Sequence, residues 1–199
     1  MAKTAYPTQS TSHIGRIRHR RNGAKPAKWA TNAATKSPTV ANTVEPASRP
    51  AECEANAVRK IVRLVARTGC RTHILHVSSG LSVDVLRRAK AEGLPVSAET
   101  CPHYLTLDCD HIPDNATAVK YCPPIRDLHE QDALWAGLAD GTLDGVVTDH
   151  SPASADMKAG TLATAWGGVS SLQVGFRAVL TGAMRLSLIH ISEPTRQAE

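Results

Sequence analysis

Aromatic residues are scarce in this sequence, which has one Phe, three Trp and three Tyr in 199 positions. Its core must therefore be built mainly from aliphatic side chains, which a hydrophobic content of 42% allows. No apolar run approaches the about 18 consecutive residues of a transmembrane helix, and the start has no apolar signal-peptide core. A membrane is accordingly not expected as a partner. The cysteines, at 53, 70, 101, 109 and 122, are odd in number and form no CxxC pair, which argues for reduced thiols in a cytoplasmic setting. Acidic residues are missing from positions 1–44, which hold eight Lys and Arg; the remaining 155 positions hold fifteen against eighteen acids. The net charge of +5 is thus a leader of +8 joined to a remainder of −3.

That leader, residues 1–46, is rich in Ala, Thr, Ser, Pro, Lys and Arg, includes RIRHRRNGAKPAK, and sustains neither a helical nor a strand period. Such a composition buries too little surface to offset chain entropy, so disorder is expected there. A basic arm for nucleic acid and an Arg-rich transit peptide are two functional readings. Without aromatic interleaving or a known nucleic-acid motif, nucleic acid is not expected as a partner. A bland leader, or one joined to the domain by misassembly, is preferred.

Beyond Arg49 the pattern changes. Val58, Ile61, Val62 and Val65 recur at helical spacing up to Gly69, and Leu81, Val85, Leu86 and Ala89 repeat this up to Gly93. Asp127 with Glu130 forms a capping-box pattern before a helix carrying Leu134, Trp135 and Leu138 and ending at Gly141. A last helix is expected from Gly168 through Val169, Leu172, Phe176 and Val179. Between the helices lie four expected strands: THILHVSS (72–79), PVSAETCPHYLTL with its loop (95–107), AVKYCPPIR (118–126) and LDGVVTDHS (143–151). Alternating strands and helices predict an α/β fold with a parallel sheet, whose C-terminal strand ends converge on one face.

Three of the four expected strands end in a group able to bind metal: His76, His103 and Asp149. Neutral imidazoles and a carboxylate suit a divalent ion such as zinc with positions left open for water. Metal lowers the pKa of bound water from 15.7 to about 7, and a carboxylate can then carry the proton to a leaving amine. Hydrolysis of an amide-like bond follows from this chemistry. A lone histidine after a strand is more often a hydrogen-bonded loop residue; three such groups on successive strand ends bring the metal reading level with that one.

The segments HILHVSS, AETCPHYLTL, KYCPPIRD, GVVTDHSP and ATAWGGVSSLQ together resemble the second half of the allantoinase family. That family sits in the cyclic amidohydrolase branch of the metal-dependent amidohydrolases, with dihydroorotase and hydantoinase. The resemblance implies a partial TIM (β/α)8 barrel over residues 47–182, roughly strands five to eight. It implies His76, His103 and Asp149 as metal ligands, with Asp149 also the proton shuttle, and His150, Ser151 and Cys122 near the substrate. His73 and Arg126 are expected to be structural. A small-molecule ureide is the implied partner, with hydrolysis of allantoin to allantoate in a homo-oligomeric, cytoplasmic parent enzyme. Cys122 stands where dihydroorotases carry Asn, and the AWGG block resembles that of allantoinases, so a hydantoinase-like enzyme is the nearer alternative.

The family's complete site holds two ions through a His-x-His pair and a bridging carboxylated lysine, and neither motif occurs in this sequence. The chain by itself is therefore expected to be inactive, and a non-catalytic fragment is a second reading of it. The tail, residues 183–199, contains LSLIHISEPTR (186–196), which resembles the translation of a transposon adapter used in sequencing libraries. His190 is accordingly not counted as a ligand.

Overall fold

The helical period of residues 58–65 belongs to helix α1 (Ala51–Thr68), which buries Ala55, Val58 and Val65. Gly69 ends the helix at φ 68°, and its N–H returns to Val65 O at 2.8 Å. Only a residue without Cβ takes that left-handed conformation at little cost, so the chain turns there. The computed structural model describes residues 46–113 and 115–188. The expected disorder of the leader, His190 and the tail from residue 189 onward lie outside the described residues.

Strand β1 (Thr72–Ile74) follows, then α2 (Gly80–Ala91), β2 (Val96–Thr100), α3 (Pro102–Thr106), α4 (Leu128–Ala139), β3 (Gly145–Val146) and α5 (Leu172–Arg185). The strands pair in parallel in the order β1-β2-β3, with His73 opposite Ser97 and Thr100 opposite Val146. In β2 burial alternates with period two: Val96, Ala98 and Thr100 are buried, whereas Ser97 and Glu99 are half-buried. The face opposite the buried set carries polar groups. There His73 Nδ1 meets Ser97 Oγ at 2.7 Å and Nε2 meets Glu99 Oε2 at 2.9 Å.

The core between sheet and helices holds Val83, Leu86, Ala98, Leu134, Trp135 and Leu143. Trp135 contributes its ring and donates Nε1–H to Leu105 O at 3.2 Å, which satisfies its one polar atom. Only half of the expected capping box forms at α4. Asp127 accepts from Glu130 N at 3.0 Å, but the Glu130 carboxylate turns away to accept from Gly80 N.

Several expectations need correcting. The strand over 118–126 is absent: a 3-10 turn, Thr117–Val119, leads into irregular chain with a cis Cys122–Pro123 bond. Pro123 and Pro124 remove two successive N–H donors, which a sheet ladder cannot spare. The strand from Thr72 stops at Ile74 because the backbone turns at His76. His103 lies within helix α3, not in a loop. Helix α5 begins four residues later than expected and continues to Arg185, with Ala183 buried. Of the expected apolar line, Val169 and Val179 pack against the core, whereas Leu172 and Phe176 are exposed.

Candidate metal centre

His76 and Asp149 occupy matching positions beyond the edge strands. Each is half-buried, and each takes a positive φ, 40° and 41°. Such a backbone costs a residue bearing Cβ about 1–3 kcal/mol and persists only where its surroundings over-determine it. Around Asp149 those surroundings are visible. Its carbonyl accepts from Tyr121 OH at 2.9 Å and from Ser151 Oγ at 3.1 Å, while Val147 N donates to Thr100 O at 2.9 Å.

His103 stands one residue into α3, after Pro102 at a helix start that needs no N–H from it. The ring is 3% exposed, and neither Nδ1 nor Nε2 has a hydrogen-bond partner. Tyr104 and Tyr121 enclose it at centroid distances of 4.4 and 4.1 Å. Burial lowers its pKa to about 4; the Asp149 carboxylate opposes that shift and His76 adds to it. His103 is therefore neutral at neutral pH, and His76 and Asp149 both act on its ring. The structure brings the three sequence-derived donors to one region.

They do not close into a coordination-tight set. Among the described residues, the group of three donors whose ligand atoms lie within 4.8 Å of one another is Asp108, Cys109 and Asp110. That group is local to one 3-10 turn, where Asp108 also binds His111 Nδ1 at 2.6 Å. The fit of a cation at His103 rests instead on its orphaned nitrogens. A buried imidazole with no bond to either nitrogen loses its hydration uncompensated, and a cation on one of them restores a partner. Cys101 is buried nearby, and burial first, then the carboxylates of Asp149 and Glu99, push its thiol far up.

Of the expected substrate-side residues, His150 and Ser151 follow Asp149 directly in the chain. Ser151 N donates to Val169 O at 3.1 Å, and its Oγ also lies 3.3 Å from Tyr121 OH. Gly168, at φ 139°, passes so close that a Cβ there would lie 2.4 Å from Ser151 O, which admits glycine alone. A Cβ on Gly167 would lie 3.8 Å from Cys122 Sγ, whose other neighbour is Arg49 Nη1 at 2.8 Å. His150 is exposed, and its Nδ1 accepts from Leu172 N at 3.2 Å, which ties it to the start of α5. Tyr121 was missed as a site residue, because KYCPP reads as a strand and only the fold shows its hydroxyl reaching Asp149.

Over 115 residues the chain is 55% identical to an allantoinase of Streptomyces avermitilis, covering 58% of this chain and 26% of that protein. Over 105 residues it is 48% identical to an allantoinase of Escherichia coli K12, covering 53% and 23%. The likeness is to allantoinases. This allantoinase-like chain spans about a quarter of the length of the curated relatives it matches. Among solved structures it resembles a D-hydantoinase from Bacillus sp. AR9, with TM-score 0.68, 27% identity and coverage of 73% of this chain and 34% of that one. A dihydropyrimidinase from Brevibacillus agri gives TM-score 0.68, 28% identity and coverage of 73% and 33%. No family model matches the chain. Among the described residues no helix is long and apolar enough to cross a membrane.

Proposed function

We propose that this chain is the part of a cyclic amidohydrolase that carries three metal ligands, roughly strands five to eight of a (β/α)8 barrel, and that the parent enzyme hydrolyses allantoin to allantoate. One observation carries the reading: the buried imidazole of His103, without a partner on either nitrogen, lies in the fields of both His76 and Asp149. These residues would hold a divalent ion, zinc being the choice that suits two imidazoles and a carboxylate. Such an ion supplies Lewis acidity and a water acidic enough to ionise near neutral pH.

The rest of the chemistry belongs to the side chains. Asp149 accepts the proton of the attacking water on a carboxylate oxygen. As water adds to the ring carbonyl carbon and the C–N bond breaks, Asp149 returns that proton to the departing nitrogen. Tyr121 and Ser151 hold the Asp149 backbone in the strained conformation that presents the carboxylate. Gly167 and Gly168 pass beside Cys122 and Ser151, the side chains this reading sets toward the substrate. His150 adjoins Asp149 in the chain and is exposed. The parent is expected to be a homo-oligomer working in the cytoplasm. A hydantoin substrate is the second reading, favoured by the likeness to D-hydantoinases.

The test is a chimaera in which this chain's matching segment replaces its counterpart in the Streptomyces avermitilis relative. Opening of allantoin, lost on Asp149→Asn, supports the proposal; preference for a hydantoin supports the second reading. A folded, metal-loaded chimaera with neither activity refutes both.

A further inference from the structure

The four backbone N–H groups that follow His76 all reach acceptors outside their own loop. Val77 N donates to Glu99 O at 2.8 Å. Ser78 N and Ser79 N both donate to Glu54 Oε1 at 3.1 Å, and Gly80 N donates to Glu130. Glu54 additionally accepts from Ser78 Oγ and, at 2.9 Å, from Ser79 Oγ. One carboxylate from α1 thus takes hydrogen bonds from two backbone amides and two hydroxyls of an irregular segment. Arg126, 8% exposed, completes the group: its Nε donates to Ser78 Oγ at 3.1 Å and its Nη2 lies 3.9 Å from Glu54.

This exceeds what starting helix α2 requires. Ser79 already caps that helix with its own side chain, which accepts from Ser82 N. The bonds to Ser78 fall outside the helix, two residues from His76, whose φ of 40° the backbone would otherwise relax. We propose that Glu54 is a positioning residue: by fixing Ser78 and Ser79 it holds His76 in its left-handed conformation, with the ring turned toward His103 and Asp149. The inference rests on reading His76 as a metal ligand. Partners lying behind a ligand orient it and typically govern metal affinity by about 10- to 100-fold.

The test uses the full 199-residue chain and Glu54→Gln, which keeps the side-chain size but substitutes an NH2 for one acceptor and leaves Arg126 without a carboxylate. Two measurements are made: amide hydrogen exchange by NMR without metal, and titration with Co2+ followed by its visible absorption. Faster exchange at Ser78 and Ser79 with Leu86 and Leu134 unchanged is expected, together with Co2+ binding about 10- to 100-fold weaker and an altered band. Glu54→Asp should recover part of both. Unchanged exchange at Ser78 and Ser79 would overturn the proposal, as would acceleration spread over the whole core, or an unaltered cobalt affinity and band. Should Glu54→Gln lack a cooperative melt, Ser78→Ala is read in the same two ways against the same outcomes. Failure of cobalt to bind the unaltered chain would refute the metal reading, and the exchange result would then decide alone whether Glu54 holds the loop.

Discussion

His76 and Asp149, the candidate ligands beyond the two edge strands, adopt nearly the same left-handed backbone, φ 40° and 41°. Between them in the sheet order lies β2, whose exit leads through Cys101 to His103. Asp and His enter this region more readily than most residues bearing Cβ, and at Asp149 the carbonyl is fixed by Tyr121 OH and Ser151 Oγ. The chain therefore bends just beyond both edge strands, on either side of the segment that carries His103.

From this follows a prediction about metal. The chain loaded with Zn2+ and dialysed should retain the ion, and His103→Ala or His76→Ala should lose it. Elemental analysis reads the result; equal metal content in all three proteins contradicts the ligand assignment.

Catalysis is a separate matter. The His-x-His pair and the bridging lysine implied by the resemblance do not occur in these 199 residues. The purified chain is therefore expected to hydrolyse no allantoin even when metal-loaded. Turnover that disappears with Asp149→Asn would show that three ligands suffice.

Core packing gives a quantitative expectation. Leu86 is fully buried between the sheet and the helices. Leu86→Ala should cost about 2–5 kcal/mol, as lost transfer energy plus a residual cavity. Urea unfolding followed through Trp135 fluorescence measures this, and a change under about 0.5 kcal/mol would mean that Leu86 is not in the core.

Acid sensitivity comes from Asp144. Burial works to raise its pKa, but bonds from Lys90 Nζ at 2.7 Å and Ala98 N at 2.8 Å outweigh that and hold the carboxyl below the usual carboxylate range. A pKa depressed by folding means that the unfolded chain binds the proton more readily. The contribution is therefore present above the ordinary carboxylate pKa and lost as pH falls through the folded value. Screening at this half-exposed side chain limits it to about 1 kcal/mol. Asp144→Asn should lower the melting temperature at pH 6 and flatten its fall below pH 4; parallel curves for both proteins would disprove the assignment.

The surface of α5 behaves differently from the core. Leu172, Val174 and Phe176 are 63%, 58% and 70% exposed on one short stretch. Phe176→Ser should leave stability within about 0.5 kcal/mol while reducing self-association, because exposed apolar patches drive aggregation. Light scattering beside a thermal melt distinguishes these effects, and a large loss of stability would show that the ring is packed.

What could be read beforehand was local. The spacing of Val58, Val62 and Val65 and the glycines at 69, 93 and 141 place three helices and their ends, since a helical face depends on near neighbours alone. KYCPPIR misled because its β-branched and aromatic residues suggest a strand, while two prolines deny it the donors a strand needs. The apolar line of α5 held at Val179 but not at Leu172 and Phe176, because periodicity reveals a face but not what lies opposite it.

By itself, then, the sequence determined the alternation of helix and strand and which segment ends carry His76, His103 and Asp149. Tertiary structure decided that the His103 ring is sealed by Tyr104 and Tyr121 with both nitrogens bare. It also decided that Glu54, more than twenty residues before Ser78, grips the loop after His76. Periodicity is set within a few residues, whereas burial and hydrogen-bond partners depend on where distant parts of the chain meet.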